Sequence, residues 1–222
     1  MRIALCFSGQ IRSFDKVKEN LEKFILYNKD ESIQIDTFLH TYYKYDDSKY
    51  INYYDPDCLL DYGNFKDIDF NKVIDLFKPV SFKFEYPSFE ENSKSMFYSI
   101  YKCNELKKEY EEIHNFKYDI VVRLRFDFFI TDKINYEIGD ELHIIDRPGG
   151  RGGLCEAFSY SSSKTMDIYT LLFKEYENDI IIKEIGPEKL NEEYIMKKNI
   201  SIKYIDKTFF SIIRKNGEIM KL

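Results

Sequence analysis

The stretch Tyr118-Asp-Ile-Val-Val-Arg-Leu-Arg-Phe-Asp-Phe-Phe129 decides how this chain is interpreted. Its first part, Ile120 to Val122, is short, apolar and β-branched, which predicts a buried strand. Arg123, Arg125 and Asp127 follow and alternate along an extended chain, so we expect their side chains to point to one face. Two guanidinium groups and a carboxylate at the end of a buried strand are costly unless something pairs with them.

Two interpretations of this polar triplet stay open at this point. A metal-bound diphosphate would use all three side chains, because arginines fork onto phosphate oxygens and a carboxylate binds the cation. An internal Arg–Asp salt bridge that positions a loop would use them without any ligand.

Length and composition limit the class of protein. The 222 residues are enough for one sizeable core, so we interpret residues 1–222 as a single domain. The net charge of −6 argues against a general nucleic-acid or anionic-membrane binder, which needs a basic face. The four cysteines are widely separated, which suggests neither a zinc site nor a disulfide framework and fits a reducing compartment. No apolar run reaches membrane-spanning length, so we expect no transmembrane segment and a cytoplasmic location.

Strand patterns alternate with helix patterns along the chain. We predict strands over residues 2–7, 33–39, 80–84, 120–122, 142–145, 157–160, 200–205 and 209–214, and helices over 13–26, 70–77, 93–115, 164–176 and 186–198. This alternation implies an α/β sandwich with a mostly parallel central sheet. In such sheets, ligands bind beyond the carboxyl ends of the strands.

Two further strand ends carry polar residues. The first strand is followed by a small turn, an amide and an arginine at a helix start, where N–H groups favour an anion: Ser8, Gly9, Gln10 and Arg12. The GxGxxG spacing of a dinucleotide-binding loop is absent, and an ordinary βα turn with an exposed arginine is the alternative. The second strand leads into His40 and Thr41, where the histidine is either a ligand contact or a satisfied structural group.

The order of these segments resembles that of a family of small GT-A-like glycosyltransferases from bacterial surface-polysaccharide loci, large DNA viruses and phages. The matching segments touch nearly the whole chain: RIALCFSGQIRSF, IDTFLHTY, SMFYSIYKCNELKKEYE, YDIVVRLRFDFFI, EAFSYSSSKTMDIY, GPEKLNEEYI and FSIIRKNG. The resemblance implies a GT-A-like fold and an enzyme that transfers a sugar from a nucleotide-sugar donor, with a UDP-sugar favoured. The acceptor would be a hydroxyl of a glycan or glycoconjugate, in the cytoplasm of a bacterium or a virus-infected host cell.

The resemblance also implies roles for individual residues. The nucleotide would lie against the loop after the first strand, with these residues around it: Ser8, Gly9, Gln10, Arg12, His40, Thr41, Ser95, Met96 and Ser99. Asp127 would take the place of the second aspartate of a DXD motif and bind Mn²⁺ or Mg²⁺. The chain departs from that motif at Arg125, so Arg123 or Arg125 would replace part of the cation's charge on the diphosphate. The literal strings Asp55-Pro-Asp57 and Asp67-Ile-Asp69 do not end an apolar strand, and we do not favour them as the metal site.

Glu156 is the candidate general base. It follows the glycine-rich turn 149–153 and precedes a predicted strand, so a mobile loop would bring its carboxylate to the acceptor. An inverting enzyme needs such a base, whereas a retaining enzyme would use Glu156 only to bind the acceptor. The structural alternative is a salt bridge from Glu156 to Arg147 or Arg151.

Two rival functions stay open. One is a noncatalytic nucleotide- or glycan-binding module on the same fold, in which Arg123, Arg125 and Asp127 pair only with each other. The other is a different nucleotide-using enzyme, such as a nucleotidyltransferase or a methyltransferase. Both of those enzyme classes are expected to carry a glycine-rich loop near the first strand, which this chain lacks.

Overall fold

A computed structural model describes residues 1–11, 13–26, 32–42, 70–86, 92–145, 153–177, 186–213, 217 and 219–221. The strands in these ranges are β1 (Arg2–Ser8), β2 (Gln34–Tyr42), β3 (Ser81–Glu85), β4 (Ile120–Leu124), β5 (Phe128–Ile130), β6 (Leu142–Ile145), β7 (Cys155–Ser161), β8 (Ile202–Ile205), β9 (Phe210–Ile213) and β10 (Ile219–Lys221). The α-helices are α1 (Phe14–Leu21), α2 (Phe70–Phe77), α3 (Asn92–His114), α4 (Ser163–Tyr169), α5 (Leu172–Tyr176) and α6 (Pro187–Lys197).

The central sheet has seven strands in the order β3-β2-β1-β4-β7-β6-β8. Strands β3, β2, β1 and β4 are parallel, and β7 runs antiparallel to both β4 and β6. Because β8 is parallel to β6, all strands except β7 run in one direction. The predicted α/β class with a mostly parallel central sheet is therefore confirmed.

Alternation along the strands divides the core between two faces. Ile3, Leu5 and Phe7 of β1 point to the face that α1 and α2 cover. Ala4 and Cys6 point to the other face, where they pack with residues of α3, α4 and α6. Each face of the sheet is thus buried under helices, as expected for strands that are apolar on both sides.

A small second sheet extends the first of these faces. It is antiparallel, in the order β10-β9-β5, and its aromatic residues join the same core as β1. Phe128 of β5 stacks on Phe158 of β7 at 5.7 Å between ring centroids. This contact ties the chain directly after the Arg/Asp segment to the central sheet.

The predicted elements are mostly present, with differences at their ends. The helix predicted over 70–77 is confirmed at both ends as α2. The helix predicted from residue 13 is α-helical only to Leu21 and continues as a π-helical turn over Glu22–Leu26. The helix predicted over 164–176 is two helices, α4 and α5, and β2 continues beyond Leu39 to Tyr42. Among the described residues, no helix has the length and apolar character that crossing a bilayer requires.

Candidate functional site at the carboxyl edge of the sheet

The carboxyl ends of β1, β2, β3 and β4 meet at one edge of the central sheet, and antiparallel β7 begins there. Ser8 lies beside His40 in the register between β1 and β2. In the next pair, Arg123 of β4 lies beside Cys6 of β1. The topology therefore brings together the three strand ends that the sequence marks as polar.

A hydrogen-bond network fixes the half of this edge that β1, β2 and α3 form. The Gly9 N–H donates to the Ser99 hydroxyl oxygen at 2.8 Å and to the His40 carbonyl at 3.2 Å. Ser99 of α3 also lies 2.8 Å from His40 Nδ1 and donates to the His40 carbonyl at 3.1 Å. Gly9 has φ of 105°, which a residue with a side chain rarely adopts. The turn after β1 is thus held in place by one serine from α3.

His40 is completely buried, and burial lowers its pKa to about 4, partly offset by Glu85. Its Nε2 lies 3.4 Å from a carboxylate oxygen of Glu85, which also accepts from Tyr98 and pairs with Lys83. The imidazole is therefore neutral near pH 7 and has protein partners on both ring nitrogens. The satisfied structural role is the one that the geometry shows for His40.

The residues predicted to surround the nucleotide do not all share one face. His40 and Thr41 lie inside β2, so consecutive side chains point to opposite faces of the sheet. His40 lies on the face of α3, and Thr41 lies on the other face. The predicted role of both residues beside a nucleotide stays a prediction. The Thr41 hydroxyl, the Ser8 hydroxyl and Gln10 Oε1 are buried without a hydrogen-bond partner in the described part of the chain.

The start of α3 packs against the end of β2. Ser95 is buried, and its carbonyl accepts a hydrogen bond from the Tyr42 hydroxyl at 2.6 Å. Met96, one residue further, is half-buried and packs against an apolar cluster that includes Phe97. Ser95 and Ser99 thus lie next to the strand ends, and Met96 contributes to packing. Their contact with a nucleotide stays a prediction.

Arg123 is the most unusual residue of this edge. It is 1% exposed, and none of its three guanidinium nitrogens has a hydrogen-bond partner among the described residues. Burial lowers its pKa, and Glu156 opposes this effect most strongly. Because a buried cation without partners costs several kcal/mol, this arrangement is costly for the protein alone.

Two polar side chains, Ser159 and Tyr169, lie near this arginine. Ser159 of β7 lies beside Arg123 in the strand register, and its buried hydroxyl has no hydrogen-bond partner among the described residues. Burial raises the pKa of Tyr169 to about 12, against the opposing effects of Arg123, Asn191 and Ser159. Asn191 of α6 donates to the Leu154 carbonyl, while its own Oδ1 has no partner within the described ranges.

Arg125 and Asp127 form a bidentate ion pair directly after β4. Arg125 Nε and Nη2 donate to the two carboxylate oxygens of Asp127 at 2.8 and 2.7 Å. Arg125 Nη1 lies 3.9 Å from Glu156, and Asp127 raises the pKa of Arg125 against the effect of burial. The alternation predicted through Asp127 is wrong, because β4 ends at Leu124 and the chain then turns. The internal salt bridge was one of the two interpretations of this segment, and it forms.

Asp127 was the predicted metal ligand, and its environment is that of an ion-pair partner. It is fully buried, and both of its oxygens accept from Arg125. Across the described ranges, no group of three or more His, Cys, Asp or Glu side chains could hold a metal ion. The metal role of Asp127 stays a prediction of the family resemblance.

Glu156 lies inside β7 and not before it, and it is 6% exposed. Because β7 begins where β4 ends, the position of Glu156 beside both arginines follows from the antiparallel pairing. Gly153 of the glycine-rich turn has φ of 97°, and a Cβ there would lie 2.3 Å from the Glu188 backbone. The absence of a side chain at Gly153 therefore lets its backbone lie close to the backbone of α6 in the same chain.

Several predicted residues lie outside the described ranges: Arg12, Asp55, Asp57, Asp67, Asp69, Arg147 and Arg151. Other site residues were missed. Glu85 ends β3, and applying the strand-end argument to that strand would have found it. Ser159, Tyr169 and Asn191 reach the edge through strand register and helix packing, for which the sequence has no local signal.

Comparison with known proteins identified no family for this chain. No protein-family model matches the chain, and no curated protein matches it at a significant level.

Proposed function

We propose that the protein is a glycosyltransferase with a single GT-A-like domain, which transfers a sugar from a nucleotide-sugar donor to a hydroxyl of a glycan or glycoconjugate. The observation that carries this proposal is the buried Arg123 at the carboxyl edge of a mostly parallel sheet, which has no hydrogen-bond partner in the described part of the chain. That edge is where α/β sheets bind ligands. A phosphate oxygen is the ligand group that pairs best with a guanidinium fork.

The geometry suits a reaction whose leaving group is an anion. In sugar transfer, the acceptor oxygen forms a bond to the anomeric carbon, and the bond from that carbon to the phosphate oxygen breaks. Negative charge then grows on the nucleoside diphosphate, and fixed positive groups stabilise it. Arg123 and Arg125, neighbours at the end of β4, are such groups.

The turn after β1 suits the nucleotide part of the donor. Ser99 and His40 hold Gly9 in one conformation, and Gln10 presents an amide whose Oε1 has no partner in the described structure. An amide can pair with the edge of a base, whereas the preceding glycine leaves room for close approach. We favour a UDP-sugar as the donor.

Glu156 is our candidate for the residue that takes the acceptor proton in an inverting reaction. Its carboxylate lies at the same edge as the arginines, 3.9 Å from Arg125 Nη1. We place the reaction in the cytoplasm, and this fits the described cysteines Cys6, Cys103 and Cys155, which form no disulfide.

A noncatalytic nucleotide- or glycan-binding module is the second candidate function. The ion pair between Arg125 and Asp127 favours it, because that pair satisfies two members of the polar triplet without a ligand. Within the described residues Arg123 has no hydrogen-bond partner in either case, so both candidates include an anionic ligand.

A thermal-shift screen with UDP-, GDP-, CMP- and dTDP-sugars, each with EDTA or Mn²⁺, tests the proposal. A ligand that binds only the folded state at 100 times its Kd stabilises the protein by about 2.7 kcal/mol. Slow hydrolysis of the stabilising donor without an acceptor supports the transferase, and binding without hydrolysis supports the module. If no nucleotide sugar shifts the wild-type protein under either condition, the proposal is contradicted.

A further inference from the structure

The residues at the end of β4 do not fit a divalent cation, which the family resemblance implies. Both oxygens of Asp127 accept hydrogen bonds from Arg125, and the position of the other DXD acid is Arg125 itself. Mg²⁺ prefers several oxygen ligands in a near-octahedral set, and two arginines next to the site would repel it. The acid nearest to this pair, Glu156, also faces a guanidinium.

The ion pair has a geometric consequence for Arg125. Asp127 occupies Nε and Nη2, which fixes the plane of the guanidinium and leaves Nη1 on the other side. The 3.9 Å from Nη1 to Glu156 is longer than a hydrogen bond, so the N–H groups of Nη1 have no close acceptor there. The Arg125 side chain is 19% exposed, so it reaches solvent while Arg123 lies buried beside it.

The formal charges of this cluster sum to zero, but its hydrogen bonds are unevenly distributed. Arg123 and Arg125 contribute two positive charges, and Asp127 and Glu156 contribute two negative ones. Both acids lie against Arg125. Among the described residues, Arg123 has no hydrogen-bonded counter-ion, at a burial where Coulomb interactions are strong.

We propose that Arg123 and Arg125 neutralise the diphosphate of the donor without a divalent cation, and that Asp127 is a positioning residue that orients Arg125. This inference rests on the proposed function and specifies the charge chemistry of the same site. In this arrangement Arg125 Nη1 and the fork of Arg123 donate to phosphate oxygens, and Asp127 stays bound to Arg125 throughout.

Titration of the wild-type protein with UDP by calorimetry, with EDTA and with Mn²⁺, tests the inference directly. We expect the two dissociation constants to agree within about threefold, which is less than 1 kcal/mol. Binding that is about tenfold or more tighter with Mn²⁺ would overturn the inference and leave the proposed function intact. Absence of binding under both conditions, together with no response to GDP-, CMP- or dTDP-sugars, would overturn both.

Asp127→Asn separates positioning from metal binding. If Asp127 is a positioning residue, Asp127→Asn should weaken UDP binding by the same factor with EDTA and with Mn²⁺. If Asp127 is a metal ligand, UDP binding should weaken only in the Mn²⁺ titration, and that result would contradict the inference. Asp132→Asn, at an exposed aspartate of the same segment, is the matched control and should bind like the wild type. Should Asp127→Asn unfold, Arg125→Lys is the second variant, since lysine keeps the charge and loses the fork. The inference predicts weaker UDP binding by the same factor with EDTA and with Mn²⁺, and unchanged binding under both conditions would overturn it.

Discussion

Two buried cations lie on the α3 side of the central sheet, and their environments are opposite. Lys107 of α3 is 0% exposed and donates to Glu111 at 3.1 Å and to Ser163 and Asp167 at 2.7 Å each. Arg123 of β4 is equally buried, and its guanidinium has no hydrogen-bond partner among the described residues. The first cation is fully satisfied within the protein, and the second is not.

We interpret this difference as a distinction between a structural cluster around Lys107 and a candidate functional cluster around Arg123. Lys107 uses all three of its N–H donors, joins α3 to α4, and lies away from the carboxyl edge. Arg123 lies near the end of β4, at the same edge of the sheet as the turn after β1. Its guanidinium has no acceptor among the described residues. A protein that can satisfy one buried cation completely has the means to satisfy both, so we interpret the missing partner of Arg123 as a ligand.

Among the variants that test this comparison, Glu156→Gln is expected to have the largest effect, because Glu156 lies beside Arg123 and Arg125. A general base contributes about 10²–10⁴-fold to the rate, so Glu156→Gln should lower kcat by that factor and leave donor binding intact. Glu141→Gln, at an exposed acid, is the control for the loss of one negative charge. Steady-state kinetics and a melting curve check this. A variant with wild-type stability, wild-type donor affinity and at least about a third of the wild-type rate would exclude the base role.

The cluster around Lys107 should show the reverse behaviour, in which a substitution lowers stability. Lys107→Met removes one of the two cations of the buried Glu111, which keeps Lys117, and takes the ammonium donor from Ser163 and Asp167. Breaking one side of a buried pair costs about 3–5 kcal/mol. We expect the free energy of unfolding, measured with denaturant, to fall by that amount.

The neighbouring residue on the same helix provides the control for Lys107→Met. Lys108 is 33% exposed and pairs with Glu105 on the surface, so Lys108→Met should change stability by less than about 0.5 kcal/mol. Equal losses in the two variants would mean that the Lys107 cluster is not a structural centre.

A smaller effect is expected from the pH dependence of the His40 network. The pKa of His40 is lowered from 6.5 to about 4, mainly by burial, so the unfolded chain binds more protons between these values. Stability is therefore complete above pH 6.5 and is lost as the pH falls toward 4, by about 2 kcal/mol between pH 7 and pH 5.

The comparison variant for this measurement is His40→Gln, which should lack that component of the pH dependence. His114→Gln, at an exposed histidine, should keep it. The free energy of unfolding at the two pH values decides between them. If wild type and His40→Gln lose stability equally, His40 is not held neutral by the fold.

Much of the fold follows from periodicity, because α2, α3 and β4 have long or clear apolar patterns that packing then reinforces. The small sheet of β5, β9 and β10 was only partly predicted. β5 has three residues directly after a turn, which is too short for a recognisable alternation. The end of β2 was also missed, because the polar residues His40 and Thr41 continue the strand on two different faces.

The site was predictable where residues are close in sequence. The pairing of Arg125 with Asp127 was one of two stated interpretations, since the two residues are adjacent across a short turn. The lack of a hydrogen-bond partner for Arg123 among the described residues was not predictable. It depends on the cross-strand neighbours Cys6 and Ser159, which offer Arg123 no strong acceptor. Strand order and register are long-range properties that a single sequence does not specify locally.

Substitution of Arg123 by methionine, followed by measurement of both unfolding and UDP binding, tests the central claim most directly. Removing a buried cation that lacks partners should leave the free energy of unfolding unchanged or raise it. The same variant should bind UDP at least about tenfold more weakly, because charge-assisted hydrogen bonds contribute about 1.5–3 kcal/mol. Loss of about 3 kcal/mol of stability with unchanged UDP affinity would instead place Arg123 in the same structural class as Lys107 and contradict the account.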